Sequence, residues 1–428
     1  MLFGHRDEEG QAVTAPDQGA PSSPTILTAD LFAQLQRLYG SPQTAPEIVE
    51  LLLNFAAERG ISDVLFEPTE DYTLVRMRLD GILQEAARIP LEGYAAVSAR
   101  IKVMSAVDTG QRQISEEGKF LFRYKDRAVN VRMALTGVAA GEMIALRLHD
   151  SASAVYALKD HGMGDAIRVR FEKMISAKTG LVIVCGPTGA GKTSTLYSAL
   201  NLLNTGKTNI ISIEDPVEYV LKGVNQMQVE NERGLSFASG LRVILRLNPD
   251  IIFVGEVRDQ ETAKISIEAS LTGHLVMTTL HANSAVSAIS RLRDLQVEDF
   301  FINAALKGVI CQRLVRRTCT ACGEWQVPSE SEGKLFQQIM GRPLEKEFVG
   351  KGCETCAGTG FQGRIGVYEL LEMNDASRPI INAWQGERET FLSLRNNSGF
   401  RSLVEDGMEK VEQGLTTVME VVSNAYAE

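Results

Sequence analysis

Long apolar runs are missing from this sequence. None approaches the roughly 18 consecutive apolar residues that a membrane-spanning helix needs. The first residues, MLFGHRDEEGQ, hold no apolar signal-peptide core. Both absences predict a cytoplasmic protein that reaches a membrane only peripherally, through a partner. Excess positive charge is missing too. Lys and Arg number 44 against 54 Asp and Glu, a net charge of -10, and aromatic residues make up only 6%. A non-specific nucleic-acid coat is normally basic, and a single-strand channel carries aromatic platforms, so both figures argue against a nucleic-acid partner. Cysteine is scarce: six in 428 residues are too few for a disulfide scaffold. What is present is ordinary. Hydrophobic residues at 44% and charged residues at 23% fit a globular chain of about three domains.

The chain changes character along its length. Residues 1–45 contain AVTAPDQGAPSSP and read as a flexible tail with a short helix at Ala29–Leu38. A firmer helix follows Pro46, with Ile48, Leu51, Leu52 and Phe55 at helical spacing and Gly60 at the capping position. Alternating runs at Ser62–Phe66, Tyr72–Leu79, Lys119–Tyr124 and Ala128–Ala134, with a helix at Tyr94–Ala106, predict an α+β domain over 46–150. A linker over 151–164 leads into residues 165–428. There Leu181–Val184, Ile210–Ile213, Ile251–Val254 and Leu275–Met277 are apolar without alternation. Such runs are strands buried on both faces of a parallel sheet, which sets the fold class as α/β. Each run ends in a polar cluster. Ligands of open α/β sheets bind beyond the carboxyl ends of the strands, so these clusters predict one shared site. A helical segment over 375–428 closes the chain, with a capping box at Thr417 and Glu420.

The first cluster is the most specific. Gly186, Pro187, Thr188, Gly189, Ala190, Gly191, Lys192 and Thr193 spell GPTGAGKT, a P-loop, and Ser194 opens a helix expected to run to Leu203. The glycines let backbone N–H groups turn toward phosphate oxygens, and the helix N-terminus favours an anion. Lys192 is expected to reach the β- and γ-phosphates of ATP, and Thr193 to ligate Mg²⁺. Hydrolysis also needs a group that orients water. The sequence assigns that to Glu214, after the second strand, and a place in the Mg²⁺ shell to Glu256, after the third. His281 follows the fourth strand and can face the phosphates; His274 precedes it and lies farther away. Cys319, Cys322, Cys353 and Cys356 form two C-x-x-C pairs, which fit a closed tetrahedral Zn²⁺ site with a structural role, within a subdomain over 316–365. Cys185 and Cys311 sit in apolar contexts and read as core residues.

In this order the motifs resemble the secretion ATPases of type II secretion systems and type IV pili. The likeness runs from about Val49 to the C-terminus. It includes ISDVLFEP (61–68), VRMRLDGIL (75–83), GPTGAGKTSTLY (186–197), IEDPVEY (213–219), GLSFASGLRVILRLNPDIIFVGEVRD (234–259), LTGHLVMTTLHAN (271–283), CQRLVRRTC (311–319) and GFQGRIGVYELL (360–371). The resemblance implies a PAS-like α+β domain ahead of a RecA-like P-loop ATPase domain with a Cys₄ zinc insertion. It implies a homo-hexamer that hydrolyses ATP to power assembly of pilus or pseudopilus subunits. Such a ring works at the cytoplasmic face of the inner membrane, on a membrane platform protein. It also implies that arginines reach the nucleotide phosphates; Arg76, Arg78, Arg100, Arg112 and Arg246 occupy the matching motifs. In this family the four cysteines mark assembly motors, and retraction motors lack them. The sequence departs from the family pattern at Leu65, where a histidine is usual, at Asn248 and Ser284, where aspartate is usual, and at Ser115–Lys119. That last loop keeps open a nucleotide-binding scaffold with little turnover. A nucleic-acid motor is the weaker alternative, for the reasons of charge and composition above.

Overall fold

The computed structural model describes residue 26 and residues 29–39, 42–108, 115–150 and 157–425. Most of the predicted tail, part of the predicted linker, and Arg112 lie outside the described residues. The chain divides into two compact units. One holds the residues up to Phe120 with Val131–Leu148; the other holds Leu121–Asn130 with the residues from His149 onward.

Helices α1 (Ala29–Leu38) and α2 (Ala45–Arg59) precede a six-stranded sheet, most of which lies in the first unit, one end of each of its last three strands being counted with the second. Pro46 sits in the first turn of α2, where a missing N–H costs nothing. Gly60 ends α2 in the left-handed region (φ 69°). The strands are β1 (Asp63–Pro68), β2 (Tyr72–Leu79), β3 (Ile82–Pro90), β4 (Glu116–Tyr124), β5 (Arg127–Val138) and β6 (Gly141–Asp150), with α3 (Leu91–Met104) after β3. Their order is β3-β2-β1-β6-β5-β4. Along β2 the side chains of Thr73, Val75 and Met77 go inward, which sends Arg76 and Arg78 to the opposite face.

The second unit is built on a seven-stranded sheet of order β15-β12-β7-β11-β10-β8-β9. Its members are β7 (Gly180–Cys185), β8 (Ile210–Glu214), β9 (Asn225–Gln228), β10 (Ile251–Val254), β11 (Leu275–Leu280), β12 (Leu306–Thr318) and β15 (Phe361–Glu372). All neighbours pair in parallel except β15, which runs antiparallel to β12. Every residue of β7, β8, β10 and β11 is buried. On one face Leu181, Ile183, Ile252 and Val276 pack with α6 (Phe237–Ile244), α7 (Gln260–Leu271) and α8 (Ala285–Asp294). On the other, Val182, Val184, Phe253 and Met277 pack with α4 (Asp165–Ile175) and α5 (Lys192–Leu203). Each such aliphatic side chain contributes about 2 kcal/mol by leaving water.

Beyond the sheet, α9 (Asp299–Ala305) leads into β12. Between β12 and β15 lie a two-stranded ribbon, β13 (Gly323–Gln326) with β14 (Glu347–Gly350), and helix α10 (Glu330–Met340). The chain ends in α11 (Ser377–Asn382), α12 (Glu387–Ser398), α13 (Leu403–Glu412) and α14 (Val418–Ala425). The capping box expected at α14 is half formed. Thr417 Oγ1 accepts the N–H of Glu420 (3.3 Å), but the Glu420 carboxylate turns to β12, accepting the backbone N–H of Arg316 (3.0 Å) and its guanidinium. A charged partner outcompetes the helix's own first N–H, and α14 is thereby fastened to the sheet.

Candidate nucleotide and metal sites

Because β7, β11, β10 and β8 run in parallel, the residues that follow them line one edge of the sheet. The P-loop follows β7 and passes directly into α5. Gly186 takes a positive φ (151°), and a Cβ there would lie 2.6 Å from the Gln312 carbonyl oxygen. Gly191 is also left-handed (φ 84°) and would meet the Gln312 amide. These two glycines are required by strand β12 behind the loop as much as by phosphate. Lys192 Nζ donates to the carbonyls of Gly186 (2.8 Å) and Pro187 (3.0 Å), spanning the loop mouth. Burial holds its pKa below the usual lysine value, while the Glu256 carboxylate acts in the opposite direction.

Glu256 follows β10 on the same edge. Its Oε1 accepts from Arg258, and its Oε2 is buried with no hydrogen bond, His281 Nε2 lying 3.5 Å away. A buried carboxylate oxygen without a donor is costly unless a cation or its water serves it, so the residue fits a Mg²⁺ shell. His281 has its pKa lowered, first by burial and then by the Lys192 charge, so the imidazole is neutral at pH 7. His274 sits at the other end of β11, where its Nδ1 pairs with the Ala269 carbonyl (2.9 Å) at the end of α7.

Glu214 ends β8 beside this edge but its carboxylate is turned inward, and the residue is 3% exposed. Oε2 accepts from the Tyr197 hydroxyl; Oε1 accepts from Ser212 and from Gln226 Nε2 (3.1 Å). Tyr197 lies on α5 and Gln226 on β9, so the carboxylate is held from both sides of its strand. Tyr197 ends the segment GPTGAGKTSTLY but carries no motif role there, and Gln226 lies outside every motif, so neither is marked by the sequence as a partner of Glu214.

The predicted arginines fall in several places. Arg76 forms a bidentate pair with Glu67 (both contacts 2.6 Å), and Arg78 bonds Asp63 (3.1 Å) and the Gly81 carbonyl (3.0 Å), all within the first unit. Arg100 is exposed on α3, and Arg246 is exposed after α6. A further arginine lies at the loop itself. Arg313 on β12 donates to the carbonyl (3.0 Å) and the side-chain oxygen (3.2 Å) of Asn283, and its Nη1 lies 3.6 Å from the Cβ position of Gly186.

The four cysteines come together as expected. The sulfur atoms of Cys319, Cys322, Cys353 and Cys356 all lie within 4.8 Å of one another. Four converging thiols with no other ligand type fit closed tetrahedral Zn²⁺. The backbone N–H of Cys356 draws the Cys353 thiol down to about 6, so it is a thiolate at neutral pH. Cys185 and Cys311 are fully buried beneath the P-loop, paired in register on β7 and β12. Among the described residues no helix is long and apolar enough to cross a membrane.

The family described as Type II/IV secretion system protein matches residues 41–423. Type II secretion system ATPase E of Vibrio cholerae is 37% identical over 419 residues, 97% of this chain and 83% of the relative. Type II secretion system protein E of Klebsiella pneumoniae is 40% identical over 387 residues, 90% of this chain and 77% of the relative. Among solved structures, the pilus retraction motor PilT with bound ADP is 26% identical, with a TM-score of 0.59 over 89% of this chain and 97% of that one. The ATPase DotB of Legionella pneumophila has a TM-score of 0.65 over 88% of this chain and 94% of that one; at 21% identity this is a likeness of fold alone.

Proposed function

The chain belongs to the Type II/IV secretion system protein family and is a secretion ATPase with a RecA-like P-loop fold, and from that premise we propose that it works as a ring hexamer powering assembly of a type II pseudopilus or type IV pilus from the inner face of a membrane. The observation that carries this reading is the four-cysteine cluster in the same unit as a complete P-loop edge, the combination that marks assembly rather than retraction motors in the family resemblance. Its partner would be a membrane platform protein, which it meets without a membrane-spanning helix of its own among the described residues.

In this reading the chain's residues divide the work. The P-loop amides and Lys192 hold the phosphates of ATP; Lys192 exchanges its two loop carbonyls for phosphate oxygens. Thr193 and the undonated oxygen of Glu256 would hold Mg²⁺ or its water shell, and the ion would supply positive charge against the transferred phosphoryl group. Glu214 orients the attacking water. Its carboxylate holds three donors and the residue is 3% exposed, so water reaches its remaining lone pair only when the surrounding packing opens. Turnover is thereby tied to a movement of α5 or β9 against β8. Cys319, Cys322, Cys353 and Cys356 would hold Zn²⁺, a closed site that would stiffen the 316–365 subdomain. Arg76, Arg78, Arg100, Arg112 and Arg246 remain the proposed arginines of the phosphate environment, on the family resemblance.

The test is Mg²⁺-dependent ATP hydrolysis against protein concentration, beside Lys192→Ala and Glu214→Ala. Turnover per protomer that rises with concentration and is lost in both variants supports a motor whose sites mature in the ring. Turnover that is independent of concentration, with a monomer throughout in light scattering, sinks the hexamer.

A further inference from the structure

Gln312 and Arg313 are consecutive on β12, and side chains alternate along a strand, so the two leave the sheet on opposite faces. Arg313 grips Asn283, two residues after His281. Gln312 goes to the other side, under the P-loop, and is 1% exposed. Its Nε2 donates to the Ala190 carbonyl (2.6 Å), and its Oε1 accepts from the Thr195 hydroxyl on α5 (2.9 Å). A buried amide is unfavourable unless its polar atoms are bonded, and here one end is spent on the loop and the other on the helix that follows it. Its neighbour one pleat earlier on the same face, Ile310, is plainly apolar and packs in the core. Packing alone therefore does not call for an amide at this position.

We propose that Gln312 is a positioning residue of the nucleotide site. The carbonyl and the N–H of one peptide point in opposite directions. By pinning the Ala190 carbonyl against β12, Gln312 turns the Gly191 N–H away from the strand and toward the face that receives phosphate. The second bond, donated by the Thr195 hydroxyl, satisfies the amide oxygen and anchors α5 to the same side chain, while the hold on Ala190 comes from Nε2. The inference rests on the P-loop reading above.

The experiment measures affinity for a fluorescent ATP analogue, together with the melting temperature, in Gln312→Met, Thr195→Val and Lys192→Ala. Gln312→Met keeps the volume and removes the donor; it is expected to weaken nucleotide binding about tenfold, the loss of one orienting hydrogen bond. Thr195→Val removes the other bond of the same glutamine and leaves Ala190 pinned. It is expected to lower the melting temperature while affinity stays within about threefold, since only the anchor is lost. A purely structural glutamine predicts lower melting temperatures in both and unchanged affinity in both. Wild-type affinity in Gln312→Met, alongside lost affinity in Lys192→Ala, overturns the proposal and leaves the P-loop reading intact. Wild-type affinity in Lys192→Ala as well overturns that reading too. If Gln312→Met does not fold, Gln312→Asn, with its amide one methylene short of Ala190, decides in the same way.

Discussion

Replacing Tyr197 by Phe removes a single oxygen from the middle of the second unit. The ring is fully buried, edge-on to Tyr219 with centroids 4.4 Å apart and edge-on to Phe253 at 6.1 Å. Phe keeps those contacts. What is lost is the hydroxyl that donates to Glu214 Oε2 and weakly accepts from Gln226 Nε2 (3.4 Å); the other two donors to Glu214, Ser212 and Gln226, both reach Oε1. Burial raises the Tyr197 pKa far above its usual value, so the hydroxyl is a donor at any working pH. Hydrogen bonds to a charged acceptor are worth about 2 kcal/mol net. For a unit of this size that is about 4–8 °C in melting temperature. In a Glu214→Gln background the acceptor is neutral and the bond weaker, so the same substitution is expected to cost about 1 kcal/mol less. Activity should move the other way. The hydroxyl competes with water for Oε2, so turnover per folded protomer is not expected to fall. Urea titrations of the four proteins in the cycle, with ATPase rates, check both limbs. An equal cost of Tyr197→Phe in the two backgrounds would falsify the reasoning, because the tyrosine would then act through packing alone.

Cys322→Ser is expected to abolish stoichiometric Zn²⁺ binding, measured by metal release, and to raise amide exchange across β13 and β14 while ATP-analogue binding persists. Glu369 on β15 is a pH-sensitive element. It is buried at the starts of α8 and α13, accepting from the N–H groups of Ala285 (2.6 Å) and Leu403 (3.4 Å), and burial lifts its pKa to about 7 against 4.5 when unfolded. The folded state therefore holds the extra proton, and its stability falls as pH rises from about 4.5 through 7, by about 3 kcal/mol in all. Glu369→Gln should flatten that slope in melting curves taken between pH 5 and 8. Gly407 lies inside α13 against α14, and a Cβ there would sit 2.5 Å from Val421 Cγ1. Gly407→Ala is expected to cost about 1–3 kcal/mol despite better helix propensity, and adding Val421→Ala should restore most of it.

The parts of the fold legible in the sequence were those whose environment is uniform. β7, β8, β10 and β11 are covered on both faces, so their residues are mainly apolar with no alternation, and the runs stand out. The P-loop stood out because a phosphate cradle restricts residue type at each position. β12 was missed for the opposite reason. Lys307, Gln312, Arg313 and Arg316 interrupt it, since it serves the P-loop, the Asn283 loop and α14 in turn. β9, Asn225–Gln228, is a polar edge strand. β3 has no clean alternation, and its pairing with β2 shifts register at Val75/Arg76. β6 did carry a signal, with Ile144, Leu146 and Leu148 at alternate positions, and could have been found. The inward turn of Glu214 was not legible, because Tyr197 and Gln226 reach it from other elements.

Strands β12 and β15 pair from Gly308 opposite Glu372 to Thr318 opposite Phe361, with one shift of register between Arg316 and Thr318. At one end of that ladder Cys311 and Gln312 back the P-loop; at the other, Cys319 opens the metal cluster. The two ends are about 26 Å apart at strand rise. A hydrogen-bonded pair of strands resists bending in its own plane, so it acts as a lever arm. By plain geometry a tilt of about 5° at the phosphate end sweeps the cysteine end through about 2 Å, given that rise. On the proposed function, the four-cysteine cluster would be the tip of a pointer that pivots at the phosphate loop.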